Sequence, residues 1–195
     1  MTKHAQNIIV GSLLGDGWLN QISPTQKSVF CLKCNDKSIE YLRWVREQME
    51  ELKPSVLKNV EKYTQHYFYT QSREDIGEFR KLFYPNEGKK VIPSNIKDLL
   101  TDPITLAVWY QDDGTLDFRD KYHRNALIAT HCFSFKDCTL LKETLYENFG
   151  IKVSVCKCQM RGKMYYRLYV LSESMNCFVE IIRPFIHKNY TYKIR

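Results

Sequence analysis

The stretch PITLAVWYQDDGTLDF, residues 103–118, begins as an apolar segment of helical length and ends in two adjacent aspartates and a glycine. The last turn of a helix already carries unpaired carbonyl groups and the negative end of the helix dipole. Two carboxylates at that end, Asp112 and Asp113, are unfavourable unless a cation lies against them. The sequence therefore predicts a buried helix that ends at a cation-binding position.

Length and charge limit the classes of protein to be considered. The 195 residues suffice for one core, or for two smaller halves that share an interface. The net charge is +7, with 15 basic and 11 acidic residues in 1–97 and 14 and 11 in 98–195, so the excess is spread over the chain. This distribution favours an extended basic surface and a polyanionic partner.

The sequence contains no apolar run of the ~18–20 residues that span a bilayer, and its beginning, MTKHAQN, does not resemble a signal peptide. We therefore expect no membrane partner. We expect an intracellular protein of a mitochondrion, a chloroplast or a prokaryotic cytoplasm, which the sequence does not distinguish.

The seven cysteines are expected to be reduced thiols, because their number is odd and no secretory signal is evident. Cys31 and Cys34 form a C-x-x-C pattern within a predicted strand. Positions three apart in a strand point to opposite faces, and no second pair follows, which disfavours a zinc or redox site.

The chain repeats itself at half its length. The segment GSLLGDGWL, residues 11–19, has the same pattern as the opening stretch, and Asp16 lies 97 positions before Asp113. Each Asp-Gly is followed by a polar stretch, a strand-like run (29–34 and 126–133), an amphipathic helix (36–52 and 136–149), two strands (within 55–72 and 152–172) and a closing helix (74–83 and 174–183). We predict an α+β fold of two pseudo-symmetric αββαββα repeats, residues 1–84 and 101–195, joined by a connector at 85–100.

Two copies of one unit are expected to pack about a pseudo-twofold axis. Gly11 and Gly15 lie on one face of the first Asp-Gly helix, and Ala107 offers a small surface on the second, so the two helices can approach closely. Asp16 and Asp113 then lie side by side. Adjacent carboxylates repel unless a proton or a divalent cation lies between them, and hard oxygen ligands favour Mg²⁺ or Ca²⁺.

Two nine-residue motifs, IVGSLLGDG at 9–17 and LAVWYQDDG at 106–114, make the chain resemble the LAGLIDADG homing endonucleases of the single-chain, two-motif type. The segments GKKVIPSNIKDLLTDPITLAVWYQDDG and IRPFIHKNYTYKIR are also similar to members encoded by group I introns. The resemblance implies a monomer whose repeats pack through the motif helices, with an antiparallel DNA-binding sheet in each. It further implies hydrolysis of one phosphodiester on each strand of a long double-stranded DNA site with Mg²⁺, which gives a staggered break.

The resemblance also assigns the site residues. Asp16 and Asp113 correspond to the metal ligands, and the backbone carbonyls of Gly15 and Asp112 complete the coordination. Ca²⁺ is expected to support binding without cleavage. The basic residues beside the scissile phosphates correspond to Lys193 and to one of two neighbouring lysines, Lys90 or its alternative Lys89.

DNA recognition is expected from the strands, because a twisted β-ribbon fits the major groove, where Arg and Gln read base edges. In VCKCQMRGKMYYRLYV, residues 155–170, polar and apolar residues alternate. We predict that one face is apolar and that the other carries Lys157, Gln159, Arg161, Lys163, Tyr165 and Arg167. The candidates in the first repeat are Lys33, Lys58, Lys62 and Gln71.

Two alternative functions share this fold. One is a group I intron maturase, an RNA-binding splicing cofactor, which would make the host intron RNA a second partner. The other is a DNA-binding regulator that does not cut and is expected to lack one of the aspartates. The chain lacks the Cys or Ser start and the His-Asn ending of an intein, so we interpret it as free-standing.

Overall fold

The computed structural model describes residues 1–22, 26–60, 64–86, 88–119 and 123–195. The first repeat contains the helices α1–α3 and the strands β1–β4, in the order α1 (Lys3–Leu14), β1 (Trp18–Gln21), β2 (Ser28–Asn35), α2 (Ile39–Glu47), β3 (Lys58–Val60), β4 (Gln65–Tyr69) and α3 (Glu74–Phe83). A short helix follows, α4 (Ile96–Leu99). The second repeat consists of α5 (Pro103–Asp113), β5 (Gly114–Arg119), β6 (His123–Ala129), α6 (Phe135–Phe149), β7 (Val153–Met160), β8 (Lys163–Val170) and α7 (Met175–Ile182).

Each repeat forms a four-stranded antiparallel sheet, and the two sheets have the same topology. The strand orders are β1-β2-β4-β3 and β5-β6-β8-β7. The predicted α+β class and the αββαββα order are therefore confirmed. The sequence pattern had not delimited the first strand of each sheet, because β1 and β5 fall in stretches rich in polar and turn residues.

The motif helices α1 and α5 form the centre of the molecule and pack against each other. Local signals start both helices: the Thr2 hydroxyl accepts a hydrogen bond from the Ala5 N–H, and the Asp102 carboxylate accepts one from the Ile104 N–H. Nearly every residue of α5 is buried, because it contacts α1 on one side and its own repeat on the others.

Glycines permit the close approach of α1 and α5. A Cβ atom on Gly11 would lie 2.5 Å from the Thr105 carbonyl oxygen and 2.9 Å from the Val108 Cβ. A Cβ atom on Gly15 would lie 2.5 Å from the Asp112 Cβ. The predicted helix seam is confirmed, but the atoms nearest to the glycines belong to these residues and not to Ala107.

Each sheet has one face covered by helices and one open face. In the first sheet, α2 and α3 pack on the face that carries Phe30, Leu32 and Phe68. In the second sheet, α6 packs against β7 and β8 on the face of Leu168 and Val170. The apolar residues between helices and sheets form one continuous core with the two motif helices.

Two further observations concern the cysteines and the possibility of a membrane-spanning helix. The register pairs Cys31 with Tyr69 and Cys34 with His66, so the two cysteines lie on opposite faces of β2 as predicted. All seven cysteines are free thiols. Among the described residues, no helix has both the length and the apolar composition to cross a membrane.

Candidate active site

Asp16 lies two residues beyond the end of α1 and Asp113 is the last residue of α5, so the seam between these packed helices brings the two aspartates to the same end of the molecule. Burial raises the pKa of Asp113 to about 7, and the negative charge of Asp16 adds to this increase. Removal from water also raises the pKa of Asp16, although its side chain reaches the surface. The ammonium groups of Lys90 and Lys193 act in the opposite direction on both carboxyl groups.

In the described part of the chain, no protein group donates a hydrogen bond to the carboxylate of Asp16 or Asp113, and none forms an ion pair with either. Two hard oxygen donors that repel each other and lack a protein partner fit a divalent ion such as Mg²⁺ or Ca²⁺. No group of three or more His, Cys, Asp or Glu side chains arranged for a metal ion occurs in the ranges described above. A metal at this position would therefore depend on the two aspartates and on backbone or substrate oxygens.

Two lysines supply positive charge at the ends of the motif helices. The Lys90 ammonium donates to the carbonyl oxygens of Gly15, at 2.8 Å, and Gly17, at 3.0 Å. The Lys193 ammonium donates to the Gln111 carbonyl oxygen at 2.6 Å. Each lysine thus neutralises carbonyls at the negative end of one helix dipole.

Both lysines are substantially enclosed. Desolvation lowers their pKa values, while the neighbouring aspartates raise them. Lys89, the alternative to Lys90, is exposed and makes none of these contacts. The fold therefore brings Lys90 and not Lys89 to the site.

The two carbonyl groups predicted as metal ligands, those of Gly15 and Asp112, differ in their surroundings. The Gly15 carbonyl oxygen accepts the hydrogen bond from Lys90. Asp112 contributes more than a carbonyl, because its carboxylate lies in the helix seam between α1 and α2. One of its oxygens accepts a hydrogen bond from the Tyr41 hydroxyl at 2.8 Å, and the other accepts one from the Asp16 N–H at 3.3 Å.

Burial, reinforced by the charge of Asp16, raises the pKa of Asp112 well above its usual range. Neither the contacts of the Asp112 side chain nor those of Tyr41 were predicted from the sequence. No sequence signal marks Tyr41, because it lies among the buried positions of an ordinary amphipathic helix.

Two clefts flank the aspartates. A cleft of about 770 Å³ lies on the side of Asp113 and is bounded by β5 and by the end of the chain, including Tyr192, Lys193 and Arg195. A cleft of about 400 Å³ lies on the side of Asp16 and is lined by residues of both repeats, among them Lys33 and Gln65. Each carboxylate therefore opens onto a groove at the surface.

The segment after α7 closes the site from the second repeat. A 3-10 helix, Lys188–Ile194, carries Lys193, and the Tyr110 hydroxyl donates to the Lys193 carbonyl at 2.9 Å. The Tyr190 hydroxyl donates to the Ser38 hydroxyl of the first repeat at 2.9 Å. The position of Lys193 thus depends on contacts with both repeats.

The strand register corrects the predicted distribution of polar residues over the second sheet. Lys163, Tyr165 and Arg167 share the open face with Cys156 and Cys158. Arg161 lies in the hairpin turn and is exposed.

Lys157 and Gln159 are paired with Tyr166 and Met164, on the opposite face, where Tyr166 contacts the ring of Phe135 in α6. The prediction that all six residues share one face was wrong. Although Lys157 and Gln159 are exposed, they lie on the helix side of the hairpin.

In the first sheet, Lys33 and Lys58 share the open face, since both are cross-strand neighbours of Tyr67. The Lys58 ammonium donates to the Tyr69 hydroxyl at 2.9 Å. Gln71 is exposed just beyond the end of β4. Lys62 lies outside the described residues.

With this geometry established, comparison with known proteins identifies the family. The LAGLIDADG DNA endonuclease family profile matches residues 6–178, and the chain belongs to this family. The DNA endonuclease I-ChuI of Chlamydomonas applanata is 27% identical over 214 residues, which cover 100% of this chain and 95% of that protein. The cytochrome b mRNA maturase bI2 of Debaryomyces hansenii is 32% identical over 127 residues, which cover 65% of this chain and 45% of that protein. The chain spans less than half the length of the first curated relatives that it matches.

Solved structures show the same fold. The homing endonuclease I-WcaI bound to its DNA recognition sequence matches with a TM-score of 0.80 and 17% identity over 100% of this chain and 87% of that chain. I-DmoI in complex with DNA and Mn matches with a TM-score of 0.59 and 13% identity over 92% and 96% of the two chains. The two-repeat architecture is therefore that of LAGLIDADG homing endonucleases.

Proposed function

We propose that this chain is a site-specific DNA endonuclease that hydrolyses one phosphodiester on each strand of a duplex with Mg²⁺ and leaves a staggered break. The observation that carries the proposal is the pair of unpartnered carboxylates, Asp16 and Asp113, at the ends of two packed helices with a lysine at each end. The relative I-ChuI is named a DNA endonuclease, and the similar structures of I-WcaI and I-DmoI contain DNA.

Asp16 and Asp113 would hold the metal, with the carbonyl oxygens of Gly15 and Asp112 as further ligands. A divalent ion bound there supplies an activated water and neutralises charge on the phosphate and on the leaving oxygen. Similar I-DmoI structures hold Mn or Ca, which supports a divalent ion at this position. Since the Gly15 carbonyl accepts a bond from Lys90, metal coordination by that oxygen requires its second lone pair or a shift of the lysine.

Lys90 and Lys193 would donate charge-assisted hydrogen bonds to the phosphate oxygens on which charge develops, or would orient the attacking water. Their carbonyl partners hold them beside the aspartates before substrate binds. Such preorganisation avoids the cost of ordering two long side chains during the reaction. One aspartate and one lysine at the end of each motif helix would provide a site for each strand.

The open faces of the two sheets would contact the DNA. They carry Lys33 and Lys58 in the first sheet and Lys163 and Arg167 in the second, together with tyrosines that pack beside them. Lysines there would contact phosphates and give affinity, while Arg167 is suited to reading a guanine edge.

A second candidate function is that of an intron maturase that binds RNA. The specific observation in its favour is the 32% identity over 127 residues to the D. hansenii protein that is named a cytochrome b mRNA maturase. The retained pair of free carboxylates argues that this function would accompany cleavage and not replace it.

The test is incubation of the purified protein with a library of randomised duplexes in Mg²⁺ or Ca²⁺. We expect cleavage of specific duplexes with Mg²⁺ alone and binding with either ion. Asp113→Asn should bind and not cut, while the matched variant Asp98→Asn, at an exposed position on α4, should behave like wild type. Cleavage of no duplex, together with tight binding to a folded intron RNA, would favour the maturase function instead.

A further inference from the structure

The backbone of Asp16 is held by the opposite repeat. At the end of α1, the N–H groups of Gly15 and Gly17 donate to carbonyl oxygens of their own helix, those of Gly11 and Ser12. The Asp16 N–H, which lies between them, donates instead to Oδ2 of Asp112 in α5. The residue that carries one proposed metal ligand is therefore oriented by a side chain of the other repeat.

Asp112 is itself fixed in place by Tyr41. The Tyr41 hydroxyl donates to the second carboxylate oxygen, Oδ1, at 2.8 Å. The Tyr41 ring is stacked on Trp44, with ring centroids 5.8 Å apart, and meets the edge of Tyr190 at 5.0 Å. The Tyr41 side chain is buried, and its hydroxyl, which also lies 3.5 Å from the Val108 carbonyl oxygen, is held against the Asp112 carboxylate.

This arrangement has no counterpart at the other aspartate within the described residues. The position equivalent to Asp112 in the first motif is Gly15, which has no side chain to donate or accept. Helix α5 continues through Asp113, whereas α1 ends at Leu14, two residues before Asp16. Only Asp16 therefore lacks a helical position and needs a separate hydrogen bond to fix its backbone.

We propose that Tyr41 and Asp112 are positioning residues that act through the Asp16 N–H and direct the Asp16 carboxylate towards the metal. The inference rests on the proposed function, since it assigns Asp16 as a ligand. Groups that orient metal ligands commonly contribute 10–100-fold to metal affinity or activity. A role of this size is expected for the Tyr41 hydroxyl.

The test uses Tyr41→Phe, which removes only the hydroxyl, and the matched variant Tyr166→Phe. Tyr166 is a half-buried tyrosine that packs against Phe135 in α6, on the helix side of the second sheet and away from the seam. The first measurement is amide hydrogen exchange at Asp16 by NMR, in the protein without metal. We expect faster exchange at this amide in Tyr41→Phe, unchanged exchange there in Tyr166→Phe and unchanged exchange in the core strands of both.

The second measurement is metal affinity. We expect the Mn²⁺ concentration that half-broadens the amide signals around Asp16 to rise about 10-fold or more in Tyr41→Phe and to stay unchanged in Tyr166→Phe. The Mg²⁺ concentration for half-maximal cleavage of a selected duplex should rise in parallel, while affinity for that duplex in saturating Ca²⁺ stays the same. Asp112→Asn, which keeps only one acceptor oxygen, should show the same direction of change.

Equal exchange at Asp16 in wild type and Tyr41→Phe would overturn the inference, as would equal effects of the two tyrosine variants. If wild type cleaves no duplex, the proposed endonuclease function fails. The amide exchange and the Mn²⁺ titration still decide whether Tyr41 positions Asp16, because neither measurement uses DNA.

Discussion

Replacement of Gly11 by alanine tests whether close packing of the motif helices sets the alignment of the two aspartates. The added Cβ would lie 2.5 Å from the Thr105 carbonyl oxygen and 2.9 Å from the Val108 Cβ, where ordinary contact begins at 3.4 Å. Neither neighbouring atom can move aside by a side-chain rotation, because one belongs to the backbone and the other is a Cβ. The helices would have to separate by about 0.5–0.9 Å, because the packed core offers no free space.

The expected loss of stability follows from two opposing terms. Overpacking of this kind costs up to about 3 kcal/mol, while alanine in place of glycine within a helix contributes about 1 kcal/mol. The net change in the free energy of unfolding is therefore a loss of about 2 kcal/mol, or a Tm lower by about 4–8 °C for a chain of this size. Thermal unfolding followed by circular dichroism, without metal, measures this change.

The effect on cleavage should be larger than the effect on stability. A misplacement of about 1 Å in a catalytic group can cost about 100-fold in rate, so Gly11→Ala should cut about 10–100-fold more slowly under single-turnover conditions. Gly77→Ala is the control, because its Cβ would also meet a backbone carbonyl, that of Gln26, but in α3 and away from the aspartates. Wild-type Tm and cleavage rate in Gly11→Ala would refute the reasoning, and an equal loss of rate in Gly77→Ala would attribute it to stability alone.

Three further results are expected. Lys90→Met should lower the single-turnover cleavage rate by about 100-fold or more, whereas Lys89→Met should leave it unchanged, because only Lys90 reaches the helix end. Without metal, the free energy of unfolding should fall as pH rises from about 4 to about 7. The pKa of Asp113 is about 7 in the folded protein, against an ordinary value of 3.8, so the folded state binds more protons in this interval. Asp113→Asn should flatten that dependence, and thermal unfolding across this pH range decides the point. Lys163→Ala should reduce the slope of log duplex affinity against log salt concentration by about one, and Lys157→Ala by less, because Lys163 lies on the open face. Equal slopes for the two variants would contradict this assignment of faces.

The tandem repeat could be predicted from sequence because its signals are local and occur twice. Asp16 and Asp113 each end an apolar helix with a glycine, and the spacing of half a chain makes a chance match improbable. The small residues Gly11 and Gly15 also pointed to the correct seam on α1. The residues that fill the seam on α5 could not be identified, because helix periodicity does not determine the rotation of one helix against another.

The face of the β7-β8 hairpin was predicted incorrectly for a geometric reason. Alternation along each strand was correct, but the odd-numbered polar residues of both strands were assigned to one face. The two-residue turn, Arg161 and Gly162, pairs Met160 with Lys163, so odd positions on one strand face the same way as even positions on the other. Turn length therefore decides which side chains are neighbours across a hairpin.

The hydrogen bonds of Tyr41 could not have been anticipated, because they join residues 71 positions apart through the fold. In the spacing of apolar residues along an amphipathic helix, a buried tyrosine is explained by its ring alone. The partner of its hydroxyl becomes visible only when the two repeats are packed together.

The return of the chain from α7 to the first repeat has a consequence for biosynthesis. The bond between Tyr190 and Ser38 spans 152 positions, and Lys193 arrives at the aspartates within the same segment. A ribosome-bound chain can complete the first sheet early, since N-terminal units fold first during translation, but the proposed active site stays incomplete until this segment has left the ribosome. If the proposed function is correct, a nascent chain would gain cleavage activity only after residue 193 has been made.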